Sequence, residues 1–218
     1  MSVNDELTSL LKAVRDVVPT LHKNGVEAED RRWIPEENIA LLEKAGVFRM
    51  AVPRRFGGLD LGVAEQSRGI AEIARGAFEL FLDRLPGRGI TYTNWTEQSQ
   101  HPLTQVQVAT AANKTAAAEA LSTRWLDVLQ RRADAGEQPT AEEKAAVRGQ
   151  TAFAVELCRQ AVEVLFRASG GSVIQRSVDL QRFHRDMEGF SLHALVQLNA
   201  NPEVQGRVLG LDPETDFL

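Results

Sequence analysis

Residues 170–193 read GGSVIQRSVDLQRFHRDMEGFSLH, and the interpretation of the whole chain starts from this stretch. It opens with two glycines, where the backbone can approach a partner closely because no Cβ intervenes. A short polar and β-branched connector follows, and then apolar residues recur at the spacing of one helix face. This periodicity predicts a helix with one buried face, formed by Phe183, Met187, Phe190, Ala194 and Leu198.

Charged and imidazole side chains flank this apolar face. Arg182, Asp186 and His193 lie on one side of it, and His184 lies on the other. Two interpretations fit this pattern. Either the acid and His193 place an imidazole at the rim of a cavity, or Arg182 and Asp186 form an ordinary i,i+4 ion pair and His193 is a boundary histidine.

The composition is that of a globular protein, with 43% hydrophobic and 25% charged residues among 218. The formal net charge of −5 and the lack of a basic tract exclude nucleic acid as an expected partner. The single cysteine, Cys158, cannot form an internal disulfide; its helical setting is compatible with a nucleophile or a buried thiol, and we expect a buried, inert thiol because no histidine lies nearby in sequence. No signal-peptide pattern and no apolar run of membrane-spanning length is found, so we expect a cytoplasmic protein without a membrane partner.

Most of the chain is predicted to be helical. Apolar periodicity indicates long helices over residues 63–85, 102–133 and 140–168, and Thr140 with Glu143 has the spacing of a capping box at the start of the last. These three helices and the one around Phe183 are joined by short turns, which favours an antiparallel bundle. No sustained alternation supports a sheet, so the predicted fold class is all-α, with extra N-terminal helices. The faces predicted to be buried include Val106 and Phe153.

The N-terminal part is predicted to add shorter helices. A first helix is expected to end or kink at Pro19. A second is expected to begin near Pro35 and to stop at Gly46, since glycine is the usual residue after a helix C-terminus. Residues 47–53 are predicted to form an extended link. The glycine-rich residues 54–62 are predicted to form a turn, because their spacing fits neither a P-loop nor a dinucleotide-binding motif.

No motif carries chemistry by residue pattern alone. The four histidines are scattered, no Cys/His cluster has metal-ligand spacing, and no Glu-x-x-His pair of the di-iron type occurs, so no metal site is predicted. A G-x-S-x-G nucleophile elbow is also missing from the sequence. The residue pattern therefore predicts a helical bundle with one suggestive helix near its end.

Two segments resemble the two ends of acyl-CoA dehydrogenase-like proteins. Residues 31–62, RRWIPEENIALLEKAGVFRMAVPRRFGGLDLG, are similar to the family's opening helices, within a likeness that covers the first 76 residues. Residues 170–195, GGSVIQRSVDLQRFHRDMEGFSLHAL, resemble its closing helices. Within them, RDMEGFSLH is similar to the flavin-dependent monooxygenase branch of the family.

This resemblance implies site residues and a reaction. His193 matches the active-site histidine of that branch, which would assist deprotonation of an aromatic substrate or stabilise a flavin hydroperoxide by a hydrogen bond. Gly170 and Gly171 match the turn that approaches the cofactor, and Arg185 and Asp186 match an Arg-Asp pair near it. The implied activity is hydroxylation of a small aromatic or polyketide-type substrate with O2 and a reduced flavin, FMN or FAD, from a separate reductase. Glu188 departs from the pattern, because relatives often carry a histidine there.

The resemblance also implies that a domain is missing. Family members have a β-rich domain between the opening helices and the closing bundle, whereas here EIARG runs directly into AFELFLDRLPGR at Gly76 and Ala77. The predicted domains are therefore residues 1–76, an incomplete N-terminal region, and 77–218, the bundle. Because the β domain forms much of the flavin site, we expect weak retention of flavin and impaired activity. The alternative is a non-catalytic helical module that self-associates into a homo-oligomer through exposed apolar surface.

Overall fold

The computed structural model describes residues 3–50, 52–59 and 71–211. Within these ranges the chain forms helices, turns and loops without any β-strand, which confirms the all-α prediction. The chain divides into two compact units, Met1–Gln66 and Ser67–Leu218. In the described part, no helix combines the length and the apolar content that crossing a bilayer requires.

The described part of the N-terminal unit contains three α-helices: α1 (Val3–Lys23), α2 (Gly25–Arg31) and α3 (Glu36–Ala45). The expectation that α1 ends at Pro19 is wrong, because the helix continues through this residue to Lys23. The packing of α1 against α3 stabilises the helix and offsets the cost of the one backbone hydrogen bond that a proline cannot donate. The side-chain amide of Asn24 fastens the end of α1 to α3, since it donates to Glu37 Oε2 and to Asn38 Oδ1, both at 2.8 Å.

The link after α3 is turned rather than extended. Helix α3 ends at Gly46, as predicted, with a left-handed φ of 91°. The prediction of an extended 47–53 link is wrong, because Val47–Arg49 forms a 3-10 turn. Hydrogen bonds at Arg49 explain this: its Nε donates to the Gly57 carbonyl, and its own carbonyl accepts from the backbone N–H of Leu59, both at 2.8 Å. The glycine-rich segment turns as predicted as far as residue 59, and residues 60–62 lie outside the described ones.

The C-terminal unit contains α4 (Glu72–Asp83), α5 (Pro102–Asp134), α6 (Ala141–Ala168), α7 (Leu180–Ser191) and α8 (Asn201–Gly206). The long helices α5 and α6 are confirmed within a residue at each end. Of the predicted helix over residues 63–85, the part at 63–70 lies outside the described residues, and the remainder corresponds to α4. Residues 84–101 form a loop with one 3-10 turn, Gln98–Gln100.

Local chemistry explains where the two central helices begin. Pro102 occupies the first turn of α5, where its missing N–H would have no helical acceptor. Thr140 caps α6, since its hydroxyl accepts from the Glu143 N–H at 3.2 Å while its own N–H donates to Glu143 Oε2 at 2.8 Å. This is the predicted capping box. Helices α5 and α6 pack along each other and form the centre of the bundle.

The core lies between α4, α6 and α7. Phe81, Leu165, Leu180 and Met187 are fully buried there. Helix α5 contributes small side chains, among them Ala111 and Ala118, which let its backbone approach closely. Other residues of this core include Ala77, Val155, Cys158, Val162 and Val173.

Helix α7 is shorter than its apolar periodicity predicted. It ends at Ser191, Phe190 is 38% exposed, and Ala194 and Leu198 lie beyond the helix at exposed positions. The prediction of one buried face from Phe183 to Leu198 is therefore wrong beyond Met187.

A buried amide explains the turn that follows α7. Asn201 is fully buried, and its Nδ2 donates to the carbonyls of Ala194 at 3.0 Å and Gln197 at 2.9 Å. These bonds satisfy carbonyls of a chain that has left the helix and hold it in a tight return to α8.

Candidate functional site

A turn of two glycines follows α6, as expected. Gly170 has a φ of 68° and a ψ of 178°, a combination that only glycine adopts readily. A Cβ at Gly170 would lie 3.3 Å from Nη2 of Arg88, whereas a Cβ at Gly171 would meet no heavy atom within 4 Å. The backbone conformation therefore favours glycine at position 170, whereas the space around position 171 would accept a side chain.

This turn forms one wall of a cavity of about 360 Å³. The opposite wall comes from the loop after α4 and from the first turns of α5, so sequence-distant segments meet here. The cavity lining includes Arg88, Gln98, His101, Thr104, Gly170 and Gly171.

The cavity is electropositive, since it contains a cation and none of its lining residues is acidic. The Arg88 guanidinium donates to the backbone carbonyl of Ser169, which is a neutral acceptor. Burial lowers the pKa of Arg88, and the positive charge of Arg84 lowers it further. Gln98 supports the same wall, because its Nε2 donates to the Ala168 carbonyl at 2.8 Å. Such a cavity suits an anionic group.

The remaining predicted site residues lie outside this cavity. His193 is exposed two residues beyond α7, and its Nδ1 accepts the backbone N–H of Leu195 at 3.2 Å. Arg185 and Asp186 are exposed neighbours on α7 with their Nη2 and Oδ1 atoms 3.4 Å apart. The structure thus brings Gly170 and Gly171 together with Arg88, and it does not add His193, Arg185 or Asp186 to the cavity wall.

The polar flanks of α7 are paired differently from either interpretation of the sequence. Arg182 bonds to Asp179 at 3.0 Å in an i,i+3 pair, so the i,i+4 pair with Asp186 is not the one formed. His184, on the other flank, bonds through Nε2 to Glu163 Oε2 at 2.6 Å.

Cys158 is the inert thiol that the sequence predicted. Its side chain is fully buried in α6, and desolvation raises its pKa to about 12. A thiol with so high a pKa is almost entirely protonated at neutral pH, and only the thiolate is a good nucleophile.

Arg88 is the cavity residue that sequence reasoning missed. It is separated from Ser169 by 81 residues, and its only local signal is its place between Gly87 and Gly89. The residues present fit the phosphate end of a flavin, because they offer one cation and a glycine turn without side chains. The groups expected around the ring system, His193 above all, do not line the same space.

Comparison with known proteins identifies the family. Residues 62–198 match the acyl-CoA dehydrogenase C-terminal domain, and residues 4–84 match the acyl-CoA dehydrogenase N-terminal domain. The two matched ranges overlap over residues 62–84, so no room remains between them for another domain.

Known hydroxylases are similar to parts of this chain. The pigment production hydroxylase of Rhodococcus sp. (strain ATCC 21145) is 27% identical over 149 residues, which are 68% of this chain and 38% of that protein. The oxygenase component of p-hydroxyphenylacetate 3-hydroxylase from Acinetobacter baumannii is 33% identical over 66 residues, 30% of this chain and 16% of that protein. The chain therefore spans well under half the length of these curated relatives.

A solved structure has a similar fold. XiaF from Streptomyces sp., in complex with FADH2 and glycerol, has a TM-score of 0.63 and 26% sequence identity, over 69% of this chain and 37% of XiaF. The family match covers more than half of the chain and agrees with the helical bundle described above. This chain belongs to the acyl-CoA dehydrogenase family, of which it contains the C-terminal helical domain preceded directly by N-terminal helices.

Proposed function

We propose that this chain binds a reduced flavin and acts as the oxygenase component of a two-component monooxygenase. A separate flavin reductase would supply the flavin, and a small aromatic or polyketide-type molecule would be hydroxylated with O2. The observation that carries the proposal is the 149-residue similarity to a hydroxylase, which extends over 68% of this chain. The similarity in fold to a protein solved with FADH2 supports the choice of cofactor.

The cavity beside the glycine turn is the proposed phosphate site for FMN or FAD. Arg88 would neutralise phosphate charge, and Gly170 and Gly171 would let the cofactor approach the backbone. The bound reduced flavin would supply the electrons for the reaction with O2. Arg185 and Asp186 form an exposed pair on α7 and would not contact a phosphate group bound in this cavity.

His193 would serve as a hydrogen-bond donor rather than as a base. Its Nδ1 accepts the Leu195 N–H, and a neutral imidazole that accepts at one nitrogen carries its proton on the other. The Nε2–H group then points away from that bond and can donate to a substrate or cofactor oxygen. Abstraction of a proton by Nε2 would require the other tautomer and loss of the contact with Leu195.

Flavin titration of the purified chain tests the cofactor site. We expect saturable, one-to-one binding of FMN and FAD, in the oxidised form and after reduction with dithionite. Arg88→Gln should weaken binding of both, by at least about tenfold for loss of a charge-assisted contact. It should leave the binding of riboflavin, which has no phosphate, unchanged. If the wild-type chain binds no flavin, the proposal is wrong.

Gly171→Ala separates cofactor binding from folding. The added methyl group meets no protein atom within 4 Å, so the thermal unfolding temperature should not fall. Flavin binding should weaken, because Gly171 lines the cavity. Gly189→Ala on α7 is the matched control, since its methyl group also meets nothing within 4 Å and Gly189 does not line the cavity. Equal flavin affinity in both variants would contradict the assigned site.

A second candidate function is a non-catalytic helical module that self-associates. Val106 and Phe153, predicted to be buried, are 60% and 50% exposed, and Ile174, Leu192 and Leu195 are also largely exposed. Surface of this kind favours association. The two functions differ in the flavin titration: saturable flavin binding supports the oxygenase, and an oligomer by light scattering that binds no flavin supports the module.

A further inference from the structure

Three side chains with metal-binding atoms converge between α6 and α7. Glu163 comes from α6, and His184 and Glu188 come from successive turns of α7. One ligand atom from each lies within 4.8 Å of the other two. His184 Nε2 is 2.6 Å from Glu163 Oε2 and 3.8 Å from Glu188 Oε1.

Neighbouring groups hold these side chains in place. The ring of Phe166 stacks on the His184 imidazole, with centroids 3.9 Å apart and planes 17° apart. Arg167 bonds to the Oε1 atom of Glu163, so the Oε2 atom remains directed at His184. Outer groups that orient ligands in this way are typical of metal sites in proteins.

Two arginines, Arg159 and Arg167, bond to the carboxylates of this cluster, and each has another partner or solvent for its charge. Arg159 bonds to Glu188 at 3.0 Å, but two further bonds of 2.8 and 2.9 Å join it to Glu156. Its charge therefore keeps a partner if Glu188 turns toward a cation. The side chain of Arg167 is 78% exposed and remains solvated.

We propose that Glu163, His184 and Glu188 bind one divalent transition-metal ion, with Zn²⁺ as the ion of choice. One imidazole nitrogen and two carboxylate oxygens are a ligand set that zinc accepts, with water in the fourth position. Tetrahedral zinc would separate its N and O ligands by roughly 3.4 Å. The observed N···O distances of 2.6 and 3.8 Å lie on either side of this value. The side chains are 22–40% exposed, which gives an ion access from solvent.

The bound ion would join α6 to α7. A ligand from each helix means that binding restrains the position of α7 on the bundle. The inference does not rest on the flavin proposal, because none of the three ligands lines the cavity at Gly170 and Gly171.

Calorimetric titration of the chelator-treated full chain with ZnCl2 tests the site. We expect one ion per chain. Affinity should fall in His184→Gln by more than the roughly 10- to 100-fold that loss of an outer-shell group costs. His22→Gln, which removes an exposed histidine from α1, is the matched control and should bind as the wild type does. Absence of binding to the wild-type chain, or equal affinities in the two variants, would overturn the proposal.

A second variant distinguishes loss of zinc binding from loss of folding. Glu188→Gln changes a ligand whose side chain is 40% exposed, so the bundle should tolerate it. Zn²⁺ should raise the unfolding temperature of the wild-type chain and leave that of Glu188→Gln unchanged. An equal rise in both would show that zinc binds elsewhere and would refute the site. Flavin titration of the same variants reports separately on the oxygenase proposal.

Discussion

Gly76 of α4 lies directly against Phe183 of α7. A Cβ built on Gly76 would be 2.4 Å from Cε1 of Phe183, well inside van der Waals contact. Alanine would gain up to about 1 kcal/mol in helix propensity, but displacement of the ring should cost more. We expect Gly76→Ala to lower the free energy of unfolding by about 1–2 kcal/mol, measured by urea denaturation.

Two further variants check the cause of this loss. Gly189→Ala, on α7 with open space around it, should be neutral or stabilising by about 0.5–1 kcal/mol. In a Phe183→Leu background, the cost of Gly76→Ala should shrink, because the flat ring that the methyl group meets is gone. An unchanged cost there would mean that another contact is responsible.

Single residues were predictable where their own neighbourhood decides their state. The buried thiol of Cys158 was predicted because no histidine lies near it in sequence, and the left-handed Gly46 followed from its place after a periodic segment. The contact between Arg88 and Ser169 was not predictable, because it joins two loops that meet only after the bundle has assembled. The His184–Glu163 pair was also missed, because it joins two helices that meet only in the folded chain.

At the scale of elements, the start of α6 depends on one threonine. Thr140→Ala removes the hydroxyl that accepts the Glu143 N–H and should lower the free energy of unfolding by about 1 kcal/mol. Thr123→Ala is the control, since Thr123 is exposed in the middle of α5 and its hydroxyl bonds to a carbonyl of its own helix. It should change stability by less than about 0.5 kcal/mol. Equal losses in the two variants would argue against a capping role.

Helix bounds were predictable where side chains mark them. Pro102 and the Thr140–Glu143 pair signal helix starts by local chemistry, and α5 and α6 begin there. The end of α7 carries no such signal, since apolar residues continue at helical spacing to Leu198. The buried amide of Asn201 decides the turn through contacts that exist only in the folded chain.

At the scale of the molecule, paired carboxylates make stability depend on pH. A hydrogen bond from Arg159, above all, lowers the pKa of Glu156, and one from Arg132 lowers that of Glu143. A carboxyl whose pKa is lower in the folded than in the unfolded state contributes stability above the unfolded value of about 4.3. That contribution is lost as the pH falls through the lower, folded pKa.

We therefore expect the unfolding temperature to fall as the pH drops below about 4.5. Glu156→Gln should be less stable than the wild type at neutral pH, and the difference should narrow as the pH falls from about 4.3 through the lower pKa of Glu156 in the folded state, because the wild-type carboxyl is then itself protonated. Thermal unfolding followed by circular dichroism at a series of pH values measures this. A constant difference across the series would show that the ionised form of Glu156 does not stabilise the fold.

The all-α class and the family were within reach of the sequence, because long periodic helices and two terminal motifs each point to them. The exposure of Val106 and Phe153 was not, since periodicity marks an apolar face without saying what covers it. Charge and composition excluded nucleic acid as an expected partner but left the substrate open.

Helix α4 lies wholly within the overlap of the two family matches, and it runs unbroken through Gly76 and Ala77. Ala77 is fully buried and Gly76 lies against the ring of Phe183, so the predicted boundary between residues 76 and 77 falls within the packed interior. A position within a continuous helix also sets rotational phase, because one residue added or removed there would turn the rest of the helix by about 100°. Such a change between residues 76 and 77 would turn the buried side chain of Phe81 away from the core.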